Sequence, residues 1–247
     1  IYDKGYFLID GINYYSLSND TQKIEVCDFA FPKEQSLSLC IPQSPLFTYQ
    51  PTSIRNLSSD RYKDMTLNVQ VNKNLIDFYN TYPTSEVNGN FMTRWAMYAN
   101  TPMEQKVQKQ LYPILQEKIA DLNEHDAANK LLNWVQTAFV YEYDDKVWGH
   151  DRAFFAEETL FYPYCDCEDR AILFTRIVRD LLGLKCILIY YPGHLASAVC
   201  FNQQVKGDYI SLNGSKFVVC DPTYIGAPVG LAMPNMDNES ANVIILE

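Results

Sequence analysis

Cys167, His194 and Asp221 follow one another in the chain, each 27 positions after the one before. A thiol, an imidazole and a carboxylate are the three groups that nucleophilic acyl transfer needs. The thiol attacks acyl carbon only as thiolate, so something must take its proton. A histidine does that, and a carboxylate behind it holds the ring in the useful tautomer. Each residue stands where its role would place it. Cys167 opens a long apolar helical stretch, and a helix start favours an anion through its dipole and free N–H groups. His194 follows the Pro192-Gly193 turn at the mouth of a strand, and Asp221 closes the run Phe217-Val218-Val219-Cys220.

Each has a plain alternative: a cysteine in a capping region, a turn histidine at the surface, an aspartate that ends a strand. Asp166, Glu168 and Asp169 also flank the thiol, and their charges oppose thiolate formation. Cys165, two positions upstream, is a rival nucleophile or a redox partner. Zinc is disfavoured, because Cys165-x-Cys167 lacks a second Cys or His pair and His125 and His150 lie far off in sequence. His150 reads as a loop histidine.

The elements that must position these groups are legible in part. Glu168 to Leu182 reads as a helix whose wide apolar face carries Ala171, Phe174, Val178, Leu181 and Leu182, ended by Gly183. Strands are expected at Lys185–Tyr191, His194–Phe201, Tyr209–Leu212 and Lys216–Cys220, as an antiparallel meander with a hairpin at Asn213-Gly214. Upstream, Thr101-Pro102-Met103-Glu104 reads as a capping box opening a helix that Pro113 should kink or split. Asn123 is placed to cap a second helix with Ala127, Leu131, Leu132, Val135 and Ala138 inward. The beginning of the chain reads as β-rich: strands around Asp10-Gly11, then Lys23–Phe31 and Ser36–Ile41, a loop over Pro42–Asp60, and a strand at Met65–Val71. The expected division is a β-rich region over 1–72 and a catalytic domain over 73–247.

Composition bounds the partners. With 247 residues, 47% of them hydrophobic and 14% aromatic, the chain is globular. A net charge of -10 argues against nucleic acid, whose phosphates call for a basic surface. No apolar run approaches ~20 residues, so no transmembrane segment is expected. The first residue is Ile1 rather than Met, as expected of a processed or excised chain. Seven cysteines form an odd set without a secreted disulfide framework, and Cys27, Cys186, Cys200 and Cys220 sit in strand-like apolar runs as small hydrophobes.

Asp166-Cys167-Glu168-Asp169-Arg170-Ala171 resembles the nucleophile motif of the transglutaminase-like superfamily. Leu182-Gly183-Leu184 is similar to its helix end, Gly193-His194 to its histidine strand, and Cys220-Asp221-Pro222-Thr223 to its aspartate motif. Val135-Gln136, Phe139-Val140-Tyr141 and Glu158-Thr159-Leu160 are similar to segments before the nucleophile, so the likeness spans about Ala127 to Tyr224. Two positions depart from the pattern: Cys165 stands where glycine is frequent, and Ala196 where an aromatic residue often follows the histidine.

The resemblance implies an α+β, papain-like fold with the nucleophile at the N-terminus of a central helix packed on an antiparallel sheet. It implies Cys167 as nucleophile, His194 as general base then acid, and Asp221 as orienter. The Cys167 N–H would be one oxyanion donor, with Gln136, Trp134 and Trp148 competing as the second. The implied activity is acyl transfer on amide or peptide bonds of a protein or peptide substrate, with hydrolysis ranked above crosslinking as in bacterial members. One periplasmic protease branch carries a similar Asp-Cys-Glu-Asp and binds calcium there. Carried across, Asp166, Glu168 and Asp169 are candidate calcium ligands, against the simpler reading of an acidic first helical turn and no cofactor. The resemblance and Ile1 favour an extracytoplasmic site, and the unframed cysteines oppose it. Two alternatives stand beside the enzyme: a catalytically silent binding module, and a thiol–disulfide switch at Cys165 and Cys167.

Overall fold

A computed structural model describes residues 46–82 and 90–246, together with the backbone of 6–9 and 12–15. Tyr6–Ile9 (β1) and Ile12–Tyr15 (β2) pair antiparallel with Ile9 opposite Ile12, the register expected across Asp10-Gly11. The strands expected at Lys23–Phe31 and Ser36–Ile41 lie outside the described residues. Arg55–Ser58 (β3) pairs with Thr66–Val69 (β4), so the segment read as loop over Pro42–Asp60 contributes a strand. Leu57, Met65, Leu67 and Val69 of this hairpin are buried in the same cluster as Leu111, Leu115 and Leu131 of the helices that follow.

Two helices come next, Lys73–Thr81 (α1) and Met92–Asn100 (α2). Gln105–Ile119 (α3) has Glu104 as its N-cap and not the expected Thr101. The reason is local: the Thr101 hydroxyl donates back to Met97 O, 2.8 Å away, and so closes α2 instead of opening α3. Pro113 is accommodated inside α3, which runs on without a break. Glu124–Thr137 (α4) starts as expected, with Asn123 Oδ1 accepting the Asp126 N–H at 2.9 Å. Val140–Tyr141 (β5), Asp144–Val147 (α5), Ala156–Phe161 (α6) and Tyr164–Cys165 (β6) lead to the central helix, and β5 pairs parallel with β6.

Cys167–Leu182 (α7) ends where the sequence predicts, with Gly183 left-handed at φ 65°. Lys185–Tyr191 (β7), His194–Cys200 (β8), Tyr209–Leu212 (β9), Ser215–Cys220 (β10) and Asn242–Ile245 (β11) form one antiparallel sheet. Its order, β11-β7-β8-β10-β9, corrects the expected meander. β10 and not β9 lies beside β8, and β9 is carried to the edge by the hairpin at Asn213-Gly214, where both residues take positive φ.

Strand alternation gives this sheet two apolar faces. Cys186, Leu188, Leu195, Val199, Val218 and Cys220 join the clusters that hold Ala171, Phe174 and Val178 of α7. Ile187, Ile189, Ala196, Ala198, Phe217 and Val219 form a third cluster on the opposite face. The result is mixed α and β with a helix packed on an antiparallel sheet. None of the described helices is long and apolar enough to cross a membrane.

Candidate active site

The three candidate residues lie at the ends of three elements. Cys167 is the first residue of α7, after Asp166 as N-cap. The helix start is fastened by Asp169, whose Oδ2 accepts the Asp166 N–H at 3.1 Å and whose Oδ1 accepts the Phe154 N–H at 2.8 Å. The N–H of a first helical residue has no intrahelical carbonyl to donate to.

His194 opens β8 opposite Tyr191, with the two residues of the Pro192-Gly193 turn between them. Asp221 leaves β10 directly after Cys220, which pairs with Ser197 of β8. The two side chains meet: His194 Nε2 lies 2.8 Å from Asp221 Oδ2, and both residues are buried. Asp221 Oδ1 accepts the N–H groups of Thr223 at 2.8 Å and Tyr224 at 3.2 Å. With three donors on it, the carboxylate has little freedom to rotate. Nε2 held on a carboxylate leaves Nδ1 as the ring's free acceptor.

The sulfur lies against the same strand. The backbone of Leu195, the residue after His194, lies close enough to the Cys167 thiol to favour its thiolate. Among the described residues the Cys167 sulfur and His194 share no hydrogen bond; each meets a carboxylate instead, Glu168 and Asp221. Cys167 and Leu195 also share one apolar cluster with Trp95, Ala171 and Leu188.

Other groups act against ionisation. Burial, then the charges of Glu168 and Asp166, push the Cys167 thiol well above the usual range. The thiol itself donates to Glu168 Oε2 at 3.2 Å. Cys165 faces elsewhere: it is buried in the main core cluster, takes a hydrogen bond from Arg170 Nε at 3.4 Å, and is raised chiefly by burial. The two thiols therefore lie in different apolar clusters on either side of the helix start.

Two of the three competing oxyanion donors are engaged. Gln136 Nε2 donates to the carbonyls of Asp221, Tyr224 and Ala227 at 3.0, 2.9 and 3.0 Å, and its Oε1 accepts the Gly226 N–H at 3.1 Å. It is a buried clamp on the loop that carries the aspartate. Trp134 Nε1 donates to Leu57 O at 3.3 Å. Trp148 packs under the Arg152 guanidinium, 4.3 Å from its ring centroid.

The acidic flank is larger than the sequence suggested. Ligand atoms of Asp144, Asp166 and Asp169 lie within 4.8 Å of one another, as do those of Asp144, Asp151 and Glu168, and of Asp166, Cys167 and Glu168. Asp144 comes from the start of α5 and Asp151 from the loop after it; only their acidic type could have marked them, since nothing in their spacing ties them to Cys167. Burial, followed by the charges of Asp169 and Glu168, pushes Asp166 up to about 11. Asp144 is pushed up to about 6, mainly by burial, and Asp169 is also raised well above the carboxylate range. Asp166 Oδ1 is buried with no hydrogen-bond partner. Arg94 reaches the edge of this cluster through an ion pair with Asp151.

No histidine joins any such group among the described residues. His125 contacts Asp126 and Asn129 on α4, and His150 is exposed in the loop after α5. These acidic groups, with an orphaned buried carboxylate oxygen among them, could hold a metal cation. The chain matches no family model, no curated protein and no solved structure.

Proposed function

We propose that this protein is a cysteine-dependent acyl-transfer enzyme acting on amide or peptide bonds, with hydrolysis as its main outcome. The observation that carries this reading is the buried His194–Asp221 pair, 2.8 Å apart, on a strand whose Leu195 shares an apolar cluster with the helix-opening Cys167. In the proposed reaction Nδ1 of His194 takes the Cys167 proton and the sulfur attacks the carbonyl carbon. The oxyanion is met by the Cys167 N–H. The C–N bond then breaks, the imidazolium returns the proton to the leaving amine, and a thioester remains. Water, deprotonated by the same imidazole, releases the acid and restores the thiol. A protein or peptide is the substrate class proposed here, following the resemblance to transglutaminase-like enzymes.

The raised thiol pKa is the observation that favours a silent binding module instead. A cation on the acidic flank counters it. Asp144, Asp166, Asp169 and Glu168 would hold calcium there, and its charge would stabilise both the carboxylates and the neighbouring thiolate. An activated ester separates the two readings. Incubation with p-nitrophenyl acetate should leave one acetyl group on Cys167, mapped by peptide mass spectrometry. Asp221→Asn should slow its formation by about two orders of magnitude or more. Acetylation spread over several thiols, untouched by that substitution, would support the module.

A further inference from the structure

A second feature stands apart from the proposed active site and does not depend on it. Where α7 ends and β7 begins, about 18 Å along the helix axis from Cys167 to Arg179, a groove of about 570 Å³ opens at the end of the sheet. Ligand sites for small molecules occupy roughly 300–1,000 Å³. Its apolar lining includes Ile187 and Phe217, themselves almost fully covered, Leu212 on β9, and Ile245 on the opposite edge strand β11, 60% exposed.

Three cations line the same groove, Arg176, Arg179 and Lys185, in a chain with 30 acidic and 20 basic residues. They are not equivalent. Arg176 is neutralised by Asp180, which it grips through both Nε and Nη2. Arg179 donates only to neutral acceptors, Ala99 O at 3.1 Å and Asn100 Oδ1 at 3.0 Å. Lys185 makes no ion pair among the described residues. Two cations that form no ion pair among the described residues thus line one groove, the reverse of what the overall charge would distribute there.

We infer that this groove binds a single-chain carboxylate amphiphile, its carboxylate on Arg179 and Lys185 and its hydrocarbon chain against the exposed Ile245 edge. A guanidinium and an ammonium both form charge-assisted bonds to a carboxylate, and the apolar edge rewards the chain by the area it buries. The source is a free acid in solution and not a bilayer. Basic clusters that hold bilayers carry about four to eight cations, and only two cations of this groove lack an ion pair among the described residues.

The test is calorimetric titration of the full chain with octanoate, below its micelle concentration, beside 1-octanol and phosphatidylglycerol vesicles. Octanoate should bind saturably at one site, about tenfold more tightly than 1-octanol. Arg179→Gln should weaken it about tenfold, and Lys185→Gln, at an exposed position where folding is not at risk, by roughly threefold to tenfold. Cys167→Ala should bind octanoate unchanged, which keeps this result separate from the catalytic reading. Equal affinity for octanoate and octanol, an unchanged affinity in Lys185→Gln, or binding to vesicles alone would each overturn the inference.

Discussion

Glu168 Oε2 accepts a hydrogen bond from the Cys167 thiol at 3.2 Å, so the residue next to the candidate nucleophile holds it protonated. The contact has two effects of the same sign: the carboxylate charge disfavours thiolate, and the hydrogen bond stabilises the neutral form. Glu168→Gln removes the charge and keeps the shape. Iodoacetamide should then alkylate Cys167 about tenfold faster at pH 7 than in the parent protein, because its thiolate is less disfavoured. A slower or unchanged rate would show that Glu168 does not control the thiol.

The acidic flank sets a pH dependence whose sign follows from its raised carboxyls. Asp144, at about 6, and Asp166, at about 11, hold protons in the folded chain that the unfolded chain releases near pH 4. Their contribution to stability is complete below that pH and is lost as pH rises through the folded values. In chelator, Tm should therefore fall between pH 5.5 and 8. Calcium at about one hundred times its Kd should restore about 2.7 kcal/mol. Asp166→Asn should flatten the slope and abolish the calcium response, both read by thermal denaturation. A Tm that is level or rising over that interval without calcium would contradict the account.

Gln136 shows what the sequence made legible and what it did not. Its position before Phe139-Val140-Tyr141 marked it as relevant, and its type suggested an oxyanion donor. Only the tertiary structure shows its amide spent on the carbonyls of Asp221, Tyr224 and Ala227. Several local signals held: Gly183 ends α7, Asn123 caps α4 and Asn213-Gly214 turns a hairpin, because each depends on a few adjacent residues, whereas Thr101 was claimed by the helix before it. Long-range pairing was not readable. β11 is four residues whose partner, β7, lies more than fifty positions upstream, and nothing local distinguishes order β8-β10-β9 from a meander. Likewise Asp144 and Asp151 reach Glu168 only through the fold.

That clamp carries its own prediction. Gln136→Leu fills the same space but leaves buried carbonyls and the Gly226 N–H without partners. The cost should be about 3 kcal/mol, or roughly 6–12 °C in Tm. Acetylation of Cys167 should slow in parallel, because the loop orients Asp221. An unchanged Tm would mean that the loop needs no clamp.

The most direct measurement is the alkylation rate of every cysteine, mapped by mass spectrometry from pH 5 to 9, in the parent protein and in His194→Ala. With a working thiol–imidazole–carboxylate set, position 167 reacts first despite being almost fully covered, and loses about a hundredfold or more without the imidazole. Half-exposed Cys200 reacting ahead of it, or a rate at 167 indifferent to His194, would contradict the claim that these groups form one chemical unit.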